Sequence, residues 1–159
     1  MANKGTEETI FSPSFPCSHA IDACRRLPYV HGMDKACPFC SLPPERVVAD
    51  HDEVVVIRDG FPVSPGHTLI VLKRHAASFF DTTNEERQAI LQALDRAKAA
   101  LDAEFKPDGY NIGVNDGPPA GQTVPHLHIH LIPRYRGDQS DPRGGMRWIF
   151  PDKAKYWDD

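Results

Sequence analysis

The sequence contains no hydrophobic run approaching the ~18 residues needed to cross a bilayer, so no membrane-spanning helix is expected. Its opening residues, MANKGTEETIFSPSFP, lack the continuous apolar core of a secretory leader, and the expected location is cytoplasmic. Cysteine is scarce: four in 159 residues are too few for a disulfide framework in a domain of this size. Positive charge is also short, with 18 Lys and Arg against 22 Asp and Glu and a formal charge of −4. That balance excludes a protein whose main task is to hold a long polyanion such as nucleic acid. It leaves room for a small anionic ligand, which needs only a local cluster of donors. No internal repeat or low-complexity block interrupts the chain. What is present, 40% hydrophobic and 25% charged residues, is the composition of one packed soluble domain.

Residues 1–34 mix small, polar and Pro-containing stretches, with one short candidate helix at Ser18–Leu27. They are expected to form an N-terminal extension ordered only where it docks, with Cys17 and Cys24 incidental. Residues 35–136 carry the regular pattern, and 137–159 form a C-terminal tail near the site or a dimer partner. Short β-branched runs at Val47–Ala49, Val54–Ile57 and Thr68–Leu72 predict strands, the first pair joined by the polar turn Asp50-His51-Asp52-Glu53. Asp59 to Gly66 is a Pro/Gly-marked loop. Thr83 followed by Glu86 is a capping box, and Ile90, Leu94, Ala97, Leu101 and Phe105 form an apolar helical stripe that Pro107 and Gly109 end. Tyr110–Val114 predicts another strand and Leu127–Ile132 a last one, closed by Pro133. Strands, a long helix and more strands make an α+β fold with a mostly antiparallel sheet.

The last strand carries the chemistry. In a strand, residues i, i+2 and i+4 share a face, so Leu127, Ile129 and Leu131 point to a core. His126, His128 and His130 then point the other way, spaced by about 6–7 Å. Packing does not require three imidazoles on one face. They bind one metal together, or one of them is a nucleophile that its neighbours tune. Gly121-Gln122-Thr123, just upstream, offers backbone N–H groups and two side-chain donors suited to phosphate oxygens, with Asn115 and Gly117 in the same loop. The segment from His126 to Lys155 holds six basic residues (134, 136, 143, 147, 153, 155) against three acidic ones (138, 141, 152), a local excess in an acidic chain.

GHTLIVLKRH (66–75), a helix, and NDGPPAGQTVPHLHIHLIPR (115–134) together resemble the histidine triad (HIT) family of nucleotide hydrolases and transferases, from about Cys37 to Arg136. The resemblance implies a five-stranded, mostly antiparallel sheet with one long helix and a shorter one, paired as a two-fold homodimer. It implies that His128 attacks an α-phosphorus to form a nucleotidyl-imidazole that water cleaves, its ring oriented by the backbone carbonyl of the last motif histidine, His130. His130 would contact the phosphate, His67 would add a fourth imidazole, and His126 completes the catalytic set. Asn115, Gly121, Gln122 and Thr123 would bind phosphate oxygens and the leaving group, while Asp59, with Gly60 beside it, would accept from ribose hydroxyls. Read alone, Asp59 is a turn residue. No catalytic metal is implied, and the substrate is expected to be a purine nucleotide containing adenosine.

Cys37-Pro38-Phe39-Cys40 taken alone fits metal or redox chemistry, and no βαβ pattern stands near it to favour a thioredoxin-like pair. Zinc needs four N or S ligands, and the resemblance supplies His75 and His126 as the other two around a structural Zn²⁺. Gly144 to Pro151 resembles an ending of some bacterial members that helps close the pocket. Arg147 and Trp148 are therefore candidates for substrate contact, the alternative being an aromatic tail packed on the sheet or on a dimer partner. Two substrate classes share the attack and differ in leaving group: dinucleoside polyphosphates and nucleoside phosphoramidates. The competing classes of function are a zinc-stabilised nucleotide-binding module with little turnover, and a three-histidine metal hydrolase.

Overall fold

The computed structural model describes residues 37–157. The expected extension 1–34, its helix at Ser18–Leu27, Cys17 and Cys24 lie outside the described residues. The described residues form five strands, β1 (Val47–Asp50), β2 (Val54–Arg58), β3 (Thr68–Leu72), β4 (Gly109–Gly113) and β5 (His128–Arg134), and one α-helix, α1 (Asn84–Glu104). The sheet order is β1-β2-β3-β5-β4 and every neighbouring pair is antiparallel. The last strand in sequence is thus inserted between β3 and β4, which run parallel to each other and are joined by α1 (a split βαβ unit). Among the described residues α1 is accompanied by five short 3-10 turns. None of their helices is long and apolar enough to cross a membrane.

β2 and β3 are buried along almost their whole length, because both faces of the sheet are covered there. On one face Val54, Val56, Ile70, Leu72, Ile129 and Leu131 pack against Ile90, Ala93, Ala97 and Leu101 of α1. On the other, Val55, Ile57, Leu69 and Val71 are covered by Phe39, Leu42 and Val47. Gly66 has φ +78°, and a Cβ there would lie 2.9 Å from Leu101 Cδ2. Only glycine lets the end of α1 press this closely on the start of β3, beside His67.

Both ends of β5 differ from the sequence expectation, while the ends of β1, β2 and β4 shift by one residue at most. His126 and Leu127 precede β5: the His126 N–H turns back to Val124 O at 2.8 Å, and the Leu127 N–H donates to Ala76 O at 2.6 Å. Pro133 does not close the strand, which continues to Arg134. It lies past Leu131, the last residue registered with β3, where β5 keeps only β4 as a neighbour and a missing N–H is tolerated.

The start of α1 is held by the expected capping box, in which the Glu86 N–H donates to Thr83 Oγ1 and the Thr83 N–H to Glu86 Oε2. Glu86 is buried and also receives two hydrogen bonds from Arg74, at 2.7 and 2.9 Å. This ties α1 to the segment after β3. The Arg74 guanidinium first, and the Thr83 N–H second, hold the Glu86 carboxyl at about 2, against an ordinary 4.5. A carboxylate depressed in the folded state stabilises fully above its unfolded value, and that stability is lost as pH falls from 4.5 towards 2. Glu86→Gln is expected to lower the unfolding free energy at pH 7 by about 1–3 kcal/mol. It should also flatten the acid limb of a plot of stability against pH, measured by urea unfolding; an unchanged acid limb would place that stability elsewhere.

Candidate functional site

β5 sets the site. His128 is registered with Val71 and His130 with Leu69, so both imidazoles lie on the sheet face opposite α1. His128 is buried, and the Phe39 ring covers it with centroids 5.0 Å apart. Its Nδ1 lies 2.7 Å from the backbone oxygen of His126. A carbonyl can only accept, so Nδ1 carries the proton, and in the neutral ring Nε2 keeps its lone pair. The orienting carbonyl is therefore that of the first motif histidine, not of the last. His126 can supply it because its backbone turns before β5 begins.

The His126 side chain points elsewhere. It is fully buried, and its Nε2–H donates to Leu72 O at 2.6 Å, which leaves the Nδ1 lone pair facing the cysteines. Cys37 Sγ stands 3.3 Å and Cys40 Sγ 3.5 Å from that nitrogen, and His75 Nδ1 is 3.2 Å from Cys40 Sγ. All four ligand atoms lie within 4.8 Å of one another. Tetrahedral zinc with ordinary Zn–S and Zn–N bonds sets S···N separations of about 3.5 Å, so the donors fit the ion. A carbonyl fixing the far nitrogen of a ligand histidine is the usual outer support of such a centre. Phe39, between the cysteines, touches both His126 and His128. Sequence reasoning gave Phe39 no role and missed the Leu72 carbonyl, which no side-chain motif can reveal.

A second cluster joins Asp59, His67 and His130. His67 is buried, and its Nε2 is hydrogen-bonded to His130 Nδ1 at 2.9 Å. Asp59 is a turn residue after all, since its Oδ1 accepts from the Phe61 N–H at 2.8 Å. Its other oxygen lies 3.4 Å from His67 Nδ1 and 3.8 Å from His130 Nδ1. Burial pulls both imidazoles below their ordinary 6.5, with Asp59 opposing and, for His130, the neighbouring histidines adding to the fall. Both are neutral at pH 7. Because His126 belongs to the cysteine cluster and His130 to this one, the three motif histidines do not converge on one ion.

The loop upstream of β5 is braced from within. Gln122 Nε2 donates to Ala77 O at 2.7 Å while its Oε1 accepts from the Gly117 N–H at 3.0 Å, so one of its two donors is already used. Asp116 accepts from Ser78 Oγ and the Phe79 N–H, a contact that sequence patterning did not reveal. Gly121 is exposed with φ +89°, and Asn115 Nδ2 would be 4.0 Å from a Cβ placed there. Thr123 and Gly60 are exposed. Asn115, Gly121, Gln122 and Thr123 thus share one loop, while Asp59 and Gly60 stand in the loop that leads to His67. Arg147 is held inside the tail, donating to Ala154 O and Lys153 O.

Comparison with known proteins agrees with this arrangement. The HIT domain model matches residues 42–137, which is more than half of the chain. The chain is 37% identical over 98 residues to the bis(5'-adenosyl)-triphosphatase of Saccharomyces cerevisiae, a match covering 61% of this chain and 45% of the yeast protein. A HIT family protein from Bacillus anthracis shares 36% identity with a TM-score of 0.61, over 67% of this chain and 78% of that one. A zinc-bound histidine triad family protein from Mycobacterium smegmatis shares 33% identity with a TM-score of 0.60, over 67% and 80% of the two chains. With the motif, the strand order and the matched domain model in agreement, the chain belongs to the HIT family.

Proposed function

We propose that this protein hydrolyses an adenosine-containing nucleotide at its α-phosphorus through a covalent nucleotidyl intermediate on His128. The observation that carries the reading is the hydrogen bond from His128 Nδ1 to His126 O, which leaves Nε2 unprotonated under a buried roof. Nε2 attacks phosphorus, the bond to the leaving group breaks, and the ring becomes cationic; a leaving phosphate departs as its anion, and a leaving amine takes a proton from solvent as it goes. Its Nδ1–H bond to the carbonyl then strengthens as a charge-assisted one. Water displaces the imidazole and releases the nucleoside monophosphate. The similarity to a bis(5'-adenosyl)-triphosphatase supports this class of reaction.

His67 and His130 serve the phosphate. The Val63 N–H reaches His67 Nδ1 at 3.4 Å. With that acceptor occupied, His67 Nε2–H donates to His130 Nδ1, and His130 Nε2–H is left to donate to a phosphate oxygen. A proton drawn to His67 Nδ1 by Asp59 would reverse the chain and turn a lone pair towards the anion, so a bound phosphate selects the first polarity. Asn115, Gly121 and Thr123 are placed to add donors, and Asp59 Oδ2 to take a ribose hydroxyl. The nucleoside half would lie on the side of Phe39 and Leu42, where a cavity of about 670 Å³ opens over β1 and β2.

Cys37, Cys40, His75 and His126 would hold a structural zinc, whose role is to fix the His126 backbone and exclude its ring from chemistry. β4 is an edge strand, and Ile112, Val114 and Leu91 of α1 are exposed apolar residues. They support pairing of two copies across the β4 edge and the helix.

Wild type is expected to release AMP from diadenosine triphosphate or adenosine phosphoramidate, followed by chromatography, and His128→Ala to lose about 10⁴-fold or more. Retained turnover in the variant would end the covalent reading, and tight AMP binding without any turnover would make the protein a binding module. Metal analysis should find about one zinc per chain in wild type and far less in Cys40→Ser, with a lowered melting temperature in the variant. Brief chelator addition during the assay should leave the rate unchanged, whereas an immediate collapse would point to metal catalysis. Sedimentation at twice the chain mass is expected, and a monomer at micromolar concentration would defeat the pairing.

A further inference from the structure

A second cavity, about 680 Å³, lies on the same sheet face but on the opposite side of the histidines, over β5 and β4. Asn111, Ile132 and Arg134 form its floor, Val63 to Pro65 one wall, and the tail residues Ser140, Trp148 and Lys155 the other. Its volume falls within the range of small-molecule sites.

The cavity abuts the reaction site at two points. Val63, in its wall, approaches His67 through its N–H. Gly113, the β4 partner of His130, is roofed by Met146 of the tail, whose Cε would lie 3.0 Å from a Cβ at that position. The tail is fixed rather than loose here, since the Trp148 indole N–H donates to Arg143 O at 2.8 Å and Ala154 is fully buried.

From this we infer that the tail-walled cavity is the subsite for the departing nucleoside of a dinucleoside polyphosphate. The inference rests on the hydrolase reading and specifies its substrate class. Charges lining the cavity balance, with Arg134 and Lys155 against Asp138 and Asp141. Such a lining suits a neutral body better than a string of phosphates. Trp148 and Tyr135 offer aromatic surface for a base, while Asn111 and Ser140 offer hydrogen-bonding groups for ribose hydroxyls. The first nucleoside has the Phe39 side, the scissile phosphate sits over His128, and the second nucleoside takes the tail side. A phosphoramidate, whose leaving group is ammonia, would leave this cavity empty.

The test compares kcat/KM for diadenosine triphosphate with that for adenosine phosphoramidate, which share the AMP half and differ in what departs. Trp148→Ala is expected to lower the ratio of the two about tenfold, the effect of losing one base-stacking surface. Trp148→Phe should restore most of it, and Ser140→Trp, which fills the cavity from its rim, should lower it as well. A ratio unchanged in both Trp148→Ala and Ser140→Trp overturns the assignment, as does an equal fall for both substrates. Independently of turnover, in a His128→Ala background the added Trp148→Ala should weaken binding of diadenosine triphosphate, read by calorimetry, and spare that of AMP. Equal weakening of both ligands overturns the subsite. Absence of turnover in wild type with selective weakening retained would sink the hydrolase reading alone.

Discussion

Residue 126 makes the contacts on which the rest of the site depends. Its ring donates to Leu72 O and offers the other nitrogen to Cys37 and Cys40, while its carbonyl accepts from His128. One residue therefore joins a cluster able to hold a metal to the imidazole that bears the free lone pair. The coupling is mechanical. If the ring of His126 shifts, its carbonyl shifts with it, and the tautomer and direction of His128 are no longer imposed. A histidine in a motif of three can thus be essential to geometry while staying out of the chemistry.

That coupling requires β5 to lie in the middle of the sheet. As an interior strand it is clamped by β3 and β4, so His128 and His130 are displayed from a backbone that cannot slip without turning Ile129 and Leu131 out of the core. α1 closes the opposite face, and its first turn is fastened by Glu86 to Arg74, one residue before His75. The support of the helix and of the cysteine cluster therefore run through adjacent residues.

Periodicity made most of the fold legible. Alternation in β5, the β-branched runs of β2 and β3 and the stripe of α1 each reflect burial on a defined face, and burial leaves a record in residue type. The α1 stripe was read without Ala93, which is buried against the sheet, and with Leu94 and Phe105, which are only partly buried. The insertion of β5 between β3 and β4 has no local signal, because it depends on which edges remain unpaired after α1 forms. The motif named the histidines, and family resemblance named the residues that gather around His126. Neither could show that the orienting carbonyl belongs to His126, since backbone oxygens carry no residue identity and His126 sits in a turn rather than on the strand. Pro133 misled for the opposite reason: it forbids a donor, and β5 needs none there on its β3 side.

The local basic excess read from residues 126–155 has a different meaning in three dimensions. Arg134 is paired with Asp138, Arg136 with Asp108 and Arg143 with Asp141, while Arg147 is spent on backbone carbonyls. These guanidinium groups build the tail and do not form a phosphate cradle. Under the proposed chemistry, phosphate would then be held by neutral imidazole N–H groups and loop donors. Such donors bind the ground-state anion less tightly than a cluster of fixed cations would. Weak ground-state binding is compatible with fast attack, because only interactions that strengthen towards the transition state raise the rate of the chemical step. The bond from His128 to His126 O is of that kind, since it gains strength as the imidazole acquires charge.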